Sequence, residues 1–541
     1  MSSIDPTALR HDETEPIRVN SDRIKYTPEY ITASYEYQST RVERASGDNG
    51  TTEYVAKPFR QEFEFRTDRR VPKTGLMLVG IGGNNGTTIT ATVLANRHNI
   101  TWHSKDGLQR PNYYGSLVRA STIRLGTDPS GKDVWVPFSS MLPMVHPNDL
   151  VIGGWDISSM ALDGAMERAK VLEYDLQRQV APHMAKIKPL PSVYYPDFIA
   201  ANQEQRADNV IPGDDKKAHV EQLRKDIREF RESNGLDQVV VVWTANTERY
   251  SEIIPGVNDT ADNLLSSIEK SHEEVSPSTV FAVACILEGV PYINGAPQNT
   301  FVPGAIELAE RHKAFIGGDD LKTGQTKVKS VLAEYLVNAG IKPLSIASYN
   351  HLGNNDGYNL SSQRQFRSKE ISKSSVVDDC CEANHLLYKA GTNAPQGEDG
   401  KRVKGERPDH CIVIKYIPAV GDQKVAMDDY TSELCMGGRN RLYVTNLCED
   451  SLLASPLLID LAILAELMTR ITYRVPGDDG EHKSLYSVLS LLSYSLKAPL
   501  VKPGTDVVNS LNRQRAAVTN FLRACLSLPP ESDLLLETRI W

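Results

Sequence analysis

From residue 75 onward the chain alternates short apolar runs with stretches of helical period. The first run, 75–81, ends in a glycine-rich turn and leads into a helical stretch over 87–98. Further apolar runs lie at 149–154, 239–243, 290–293, 314–316 and 343–347, with helical patterns between them, clearest at 216–233 and 325–338. Strands that alternate with helices build a parallel sheet, so the expected fold class is α/β, a Rossmann-like doubly wound parallel sheet. Residues 350–450 break this rhythm. They offer strand candidates at 410–417 and 441–446 and fewer crossover helices, which indicates a second, α+β domain. A Gly/Asp/Lys/Pro-rich stretch, 391–408, has the composition of an exposed loop or insertion. Long helical patterns return at 451–471 and 485–496, expected to pack back on the first domain. Residues 1–70 are polar and aromatic without a strong period, an N-terminal layer that wraps onto the body. The expected boundaries are 1–70, 71–326, 327–450 and 451–541.

Composition narrows the class. A chain of 541 residues divides into about two to four domains. With 40% hydrophobic and 24% charged residues it has the make-up of a soluble globular protein with a sizeable core. A net charge of -9 argues against nucleic-acid or anionic-membrane partners, which favour a large cationic surface. The seven cysteines show no CxxC spacing, which fits neither a disulfide framework nor a zinc site and points to the reduced cytosol. The first sixteen residues lack the apolar core of a secretory signal. The most apolar stretch, 452–468, contains Pro456, Asp460 and Glu466, and reads as a buried core helix and not a membrane span. A cytoplasmic location is expected.

The turn after the first strand carries Gly80, Gly82, Gly83, Asn84, Asn85 and Gly86. Strand, glycine turn and helix in this order are the context of a dinucleotide fingerprint, whose helix N-terminus receives a pyrophosphate. The third glycine of GxGxxG falls on Asn85, so the fit is to a GxGGxxG variant; a glycine-rich turn without ligand is the alternative. Asp156, after the second strand, is the candidate for the adenosine ribose. It follows much later than the usual separation of about 20 residues, so an insertion occupies 99–148. A carboxylate there repels a 2′-phosphate and favours NAD over NADP, although a loop or capping role accounts for Asp156 equally well. Thr244, Ala245, Asn246 and Thr247 follow the apolar strand 239–243, where residues line the crevice of a doubly wound sheet, or simply make a turn.

A second group of candidates has the chemistry of anion binding. Thr323, Gly324, Gln325 and Thr326 open a helix and can offer a row of amides and two hydroxyls to a phosphate; the bland reading is a helix cap by Thr323. Lys369 and Lys373 are spaced i, i+4 and share a helix face, most simply a solvated one. Lys424 and Lys497 sit among apolar neighbours, and Lys497 closes a strongly apolar helix where it can neutralise the dipole. Pattern alone does not select these four lysines. There is no HxH or HExxH, and His351 with Asp356 makes only two ligands, so metal-independent chemistry is expected.

Four segments identify a resemblance. GIGGNNG over 80–86, WTANTERY over 243–250, NGAPQNTFVPG over 294–304 and SYNHLGNNDG over 348–357 resemble, in order, the signatures of the eukaryotic inositol-3-phosphate synthase (myo-inositol-1-phosphate synthase) family. The resemblance covers about residues 70–525. Ala296 and Thr323 stand where many relatives carry serine, and threonine keeps the hydroxyl. The resemblance implies an isomerase that converts D-glucose 6-phosphate to 1D-myo-inositol 3-phosphate. Its path is NAD-dependent oxidation at carbon 5, enolisation at carbon 6, aldol closure onto carbon 1 and re-reduction. It implies that Lys369 and Lys497 lie near the carbon 5 oxygen, and Lys373 and Lys424 nearer the phosphate or the carbon 1 oxygen. Asp320 and Asp450 would orient lysines or the nicotinamide, and Asn350 and Asn354 would hold substrate. A homotetramer assembled through the second domain, and supply of inositol for phospholipid precursors, are implied in the same way. Fixed ammonium groups in a dry pocket suit a reaction that develops charge on oxygen at each stage. An ordinary NAD-linked sugar-phosphate dehydrogenase and an inactive NAD-binding scaffold are the competing readings.

Overall fold

The computed structural model describes residues 17–46, 52–395, 402–403, 405–477 and 480–536. The N-terminal stretch 1–16 and part of the expected 391–408 loop lie outside the described residues; the described remainder of that loop pairs as two short strands, Thr392–Pro395 and Arg402–Val403. The segment 30–68, expected to wrap without a period, is instead a hairpin of two long antiparallel strands, β1 (Tyr30–Ser46) and β2 (Thr52–Asp68). Its period of two is carried by aromatics: Phe59, Phe63 and Phe65 alternate along β2, with Tyr35 and Tyr37 beside them on β1. The short strand Ile471–Arg474 extends this sheet, and Phe65 meets Phe521 edge-on, so the hairpin is tied to the C-terminal part of the chain.

Six parallel strands follow: β3 (Thr74–Val79), β4 (Val151–Asp156), β5 (Leu190–Pro191), β6 (Gln238–Trp243), β7 (Tyr292–Asn294) and β8 (Ile316–Gly317). Their order is β5-β4-β3-β6-β7-β8. The chain runs outward from β3 on one side and restarts at β6 on the other, the Rossmann order, whose ligand crevice opens past the carboxyl ends of β3 and β6. The central strands β3 and β6 are mostly apolar because both faces are covered. Leu76, Leu78, Val240 and Val242 enter one core with helix α1 (Asn84–Arg97). Met77, Val79, Val239 and Val241 enter the other with α2 (Lys216–Ser233) and α3 (Pro277–Glu288). Full burial of each such side chain contributes about 1.5–3 kcal/mol. Between α1 and β4, residues 99–148 fold as two small antiparallel ribbons and a short helix, Leu117–Ala120.

Helix α4 (Gly324–Asn338) leads to a second sheet, which includes helices α5 (Asn355–Asn359) and α6 (Gln363–Ser374) in its connections. Its strands are β9 (Lys342–Leu352), β10 (Asp409–Tyr416), β11 (Gln423–Glu433) and β12 (Arg439–Glu449), in the order β10-β9-β11-β12. The apolar run 343–347, expected to extend the parallel sheet, belongs here. Strand β11 has no counterpart in the sequence reading because its buried face carries Lys424, Ala426, Asp428, Tyr430 and Ser432, mostly polar. The opposite face of the sheet exposes Tyr349, Met427, Tyr443 and Leu447.

Helix α7 (Asp450–Thr469) returns to the first core and packs on α1. It is apolar and long enough to cross a bilayer, yet 83% of its apolar window is buried in the protein. Asp460 within it accepts hydrogen bonds from Ser116 and from the amides of Leu117 and Val118, and Glu466 pairs with Arg470. The expected helix at 485–496 is absent. Val488 bridges to Ile316 and Leu496 to Leu321, with only a 3₁₀ turn, Ser490–Ser495, between them. The open edge of β8 presents unpaired amides and carbonyls, which an extended segment satisfies and a helix does not. The Leu489 amide, for example, donates to the Ile316 carbonyl.

Candidate active site

The glycine turn forms one wall of a cavity at the crevice. Gly80 has φ +89°, and a Cβ there would sit 2.6 Å from the Ala245 Cα, so no other residue is accommodated. A Cβ on Gly86 would come within 2.4 Å of the Ile81 carbonyl oxygen. Gly83 caps α1 without a side chain, and Gly80, Gly83, Asn84 and Asn85 line the cavity. The first amides of α1 therefore face it with the positive end of the helix dipole. Gly82 and Gly86 do not line the cavity; they make the turn possible. This cradle fits a dinucleotide pyrophosphate.

Asp156 stands at the end of β4 against this turn. One of its carboxylate oxygens accepts from the Gly82 amide at 2.8 Å and the other from the Ser158 amide at 2.9 Å. Burial pushes its carboxyl above the usual range, against the pull of these amides and of Arg206. Across the crevice, Thr244 donates its hydroxyl to the Val79 carbonyl, and Ala245 lines the cavity beside it. Asn246 accepts from Asn355, and the Thr247 amide donates to Asp356. The 244–247 segment thus meets the loop that carries the fourth signature.

Lysines converge on the other side. Lys497 Nζ lies 2.8 Å from one oxygen of Asp320, Lys369 Nζ lies 3.1 Å from the other, and Ser372 donates to the same carboxylate. Burial works against the Asp320 carboxylate, but Lys369 and Lys497 overcome it and hold its pKa well below the usual range. One carboxylate cannot compensate two buried ammonium groups fully. Burial lowers the Lys497 pKa to about 7 despite Asp320, whereas for Lys369 the carboxylates of Asp320, Asp356 and Asp450 outweigh burial and raise it. Lys424 on β11 lies 3.7 Å from Asp450, which also receives the Asn354 side chain. Among the described residues Lys373 has neutral hydrogen-bond partners alone, Gln325 Oε1 at 3.2 Å and Asn350 Oδ1 at 3.1 Å. Burial and four neighbouring lysines push its pKa well down.

Several bland readings end here. Lys369 and Lys373 share a face of α6 as expected, but that face is turned inward and Lys373 is 2% exposed. Helix α6 is held there by Arg364 on Asp197, Gln365 on the Phe198 carbonyl and Ser368 on the Glu248 carbonyl. Lys497 does not close a helix; it follows the 3₁₀ turn and donates its amide to the Asp320 carbonyl. Thr323 is the residue before α4, yet its side chain makes no cap hydrogen bond and lines the cavity. The expected row of four amides is shorter, because the Thr326 amide bonds the Thr323 carbonyl. The amides of Gly324 and Gln325 have no acceptor among the described residues. Gln325, Thr326 and Asn350 are buried and do not line the cavity, and neither Gly324 nor Lys373 lines it.

The sequence reading missed Asp356, Ser372, Arg206 and Asp422. Asp356 lies within the fourth signature and was considered only as a metal ligand. Asp422 accepts from Asn84 and Ser451, and burial, with Asp450 nearby, raises its pKa to about 6. No motif marks it. His351 lies on the strand face opposite Asn350. Among the described residues no three His, Cys, Asp or Glu side chains converge as a ligand set.

Comparison with known proteins decides the family. An NAD-binding family model described as myo-inositol-1-phosphate synthase matches residues 74–523. The chain belongs to this synthase family. The inositol-3-phosphate synthase of Dictyostelium discoideum is 56% identical over 526 residues, 97% of this chain and 99% of that protein. Inositol-3-phosphate synthase 1 of Homo sapiens is 56% identical, covering 96% of this chain and 90% of its own. The crystal structure of inositol-3-phosphate synthase from Caenorhabditis elegans superposes with a TM-score of 0.90 at 49% identity, over 97% of this chain and 98% of that one. All four signature segments fall within the matched residues, and NAD is the cofactor of this synthase family.

Proposed function

We propose that the chain converts D-glucose 6-phosphate to 1D-myo-inositol 3-phosphate with no net consumption of NAD. The observation that carries this reading is one buried carboxylate, Asp320, holding two lysines in the cavity that the glycine turn also lines. NAD, when bound, would supply the hydride acceptor for carbon 5 of the open-chain sugar and, reduced, the donor that restores it. Gly80, Gly82, Gly83, Asn84, Asn85 and Gly86 would hold its pyrophosphate, Asp156 its ribose, and Thr244, Ala245, Asn246 and Thr247 the nicotinamide half. Lys497, with a pKa near 7, takes the carbon 5 hydroxyl proton as the ketone forms. Lys369 remains an ammonium beside the same oxygen. The ketone acidifies carbon 6, whose proton passes to a base of the pocket; the enolate carbon bonds to carbon 1, and that base returns the proton to the carbon 1 oxygen. Lys373 and Lys424 stabilise the phosphate and that oxygen, while Thr323, Gly324, Gln325 and Thr326 cradle the phosphate. Asp320 and Asp450 orient the lysines, and Asn350 and Asn354 position substrate. The proton taken by Lys497 returns when carbon 5 is reduced, so atoms and electrons balance as an isomerisation. No step requires a metal ion.

The exposed apolar face of the second sheet, with Tyr349, Met427, Tyr443 and Leu447, supports assembly of copies into a homotetramer through that domain. A cytoplasmic location and supply of inositol for phospholipids follow from the same reading. The deciding experiment mixes the purified chain with glucose 6-phosphate and limiting NAD, following absorbance and product chromatography. Inositol phosphate is expected in large molar excess over NAD, without a steady rise of NADH. Stoichiometric NADH release with a keto or acid product would favour a dehydrogenase, and no turnover would favour a scaffold.

A further inference from the structure

Behind the four lysines stands a fifth. Lys329 lies one turn along α4 from Gln325 and is 3% exposed. Its Nζ donates to Ser348 Oγ at 2.6 Å and lies 2.9 Å from His410 Nε2. The other ring nitrogen, Nδ1, is 3.3 Å from the Ser374 carbonyl oxygen. A carbonyl only accepts, so Nδ1 carries the proton and Nε2 accepts from Lys329. Burial, then the charge of Lys329, lower the His410 pKa to about 3, which keeps the ring in the neutral form this pattern needs.

Ser374 ends α6, where a helix leaves carbonyls without intrahelical donors. His410 supplies one such donor, to the carbonyl of the residue that follows Lys373. Ser348 stands two residues before Asn350 on the same face of β9, and Asn350 accepts from Lys373. Two short paths therefore join Lys329 to Lys373, one through the end of α6 and one along β9. Neither Lys329 nor His410 lines the cavity.

We infer that Lys329 and His410 are positioning residues for the phosphate end of the pocket, fixing the end of α6 and β9 so that Lys373 stays directed at Gln325 and Asn350. The inference rests on the synthase reading, in which Lys373 and the 323–326 turn hold the substrate phosphate. It is tested with the full chain and three variants: Lys329→Met, His410→Asn, which keeps a donor for the Ser374 carbonyl, and His410→Leu, which does not. The readouts are KM for glucose 6-phosphate, kcat, NAD affinity, inorganic phosphate affinity by calorimetry, and the thermal midpoint. Lys329→Met and His410→Leu are expected to raise KM and weaken phosphate binding about tenfold, as loss of a charge-assisted bond does. Their kcat and NAD affinity should change less than about threefold, and His410→Asn should stay within about threefold of the parent throughout. A Lys329→Met chain with a lowered thermal midpoint but unchanged KM and phosphate affinity has lost only structure, and overturns the inference. If that variant does not fold, the His410 pair decides, and equal phosphate affinity in Asn and Leu variants overturns it. An unmodified chain that makes no inositol phosphate defeats the synthase reading instead, while the phosphate affinities still judge the positioning role.

Discussion

Replacing Asp320 by asparagine keeps its shape and removes its charge from between two lysines. The ammonium nitrogens lie 2.8 and 3.1 Å away. At an effective dielectric of about 20, each contact is worth roughly 5–6 kcal/mol of Coulomb energy, equivalent to about four pKa units. Deprotonation relieves much of that loss, so the expected result is a shift of the lysines and not an unfolded chain. In the parent, kcat/KM should rise with pH through the Lys497 pKa, about 7, because the neutral amine accepts the proton. In Asp320→Asn that acid limb should move down by more than about one unit, while the plateau falls about 100- to 1000-fold as the ammonium on Lys369 is lost. The substrate phosphate ionises near pH 6, and its own contribution to the profile does not move with the mutation. Stability supplies a second readout. In the variant both lysines lose their shared counter-charge, and Lys369 keeps only the weaker pull of Asp356 and Asp450, so their folded pKa values are expected to lie below the unfolded value of about 10.4. Bases shifted downward bind fewer protons folded than unfolded, so stability rises with pH across that window. Urea midpoints of the variant should therefore gain on the parent between about pH 7 and pH 9.5. An acid limb unmoved by the mutation would remove Lys497 from proton transfer and break the chain of reasoning.

Two further outcomes are expected. NAD should bind much better than NADP, and Asp156→Ala, which frees the Gly82 and Ser158 amides, should narrow that gap in a fluorescence titration; equal binding of both cofactors by the unmodified chain would take Asp156 out of the site. Prolonged treatment with a chelator should leave product formation intact, and full loss restored by a divalent metal would end the lysine-only account of enolate stabilisation.

Five of the six strands of the first sheet were legible because burial on both faces favours apolar runs; the two-residue edge strand Leu190–Pro191 is too short to leave one. Runs such as 239–243 announce themselves, and the helix 216–233 shows an amphipathic period. Three segments were misjudged, two of them because a side chain or backbone need is set from far along the chain. The hairpin 30–68 hides its period of two among charged residues because much of its surface is solvated. Strand β11 hides it because its inner face serves the site: Lys424 and Asp428 occupy positions where an ordinary strand has valine. Residues 485–496 are apolar at helical spacing, yet the edge of β8 takes Val488 in an extended bridge, and only a 3₁₀ turn follows. Hydrophobic period reports which side chains are buried, and here the unmet hydrogen bonds of a distant strand outweighed local helix propensity.

The site divides along a similar line. The cofactor end is written in short segments whose geometry is local: a glycine with φ +89° declares its own necessity. The lysine end is not local, since Lys369, Lys373, Lys424 and Lys497 come from a helix, a strand and a turn that meet only in the folded chain. Each lysine alone has a solvated or dipole-neutralising explanation, and family resemblance was needed to choose among them. What could have singled them out is the company they keep. Asp320 follows directly on the β8 loop, one residue beyond Asp319, in an otherwise apolar and glycine-rich stretch. Two adjacent carboxylates at the carboxyl end of an edge strand, both buried, call for cations or donors from elsewhere. Asn294 answers for Asp319, and the two lysines answer for Asp320. In a chain of this class, an unexplained acidic pair at a strand's carboxyl end is thus a better guide to a distant lysine cluster than the spacing of the lysines themselves.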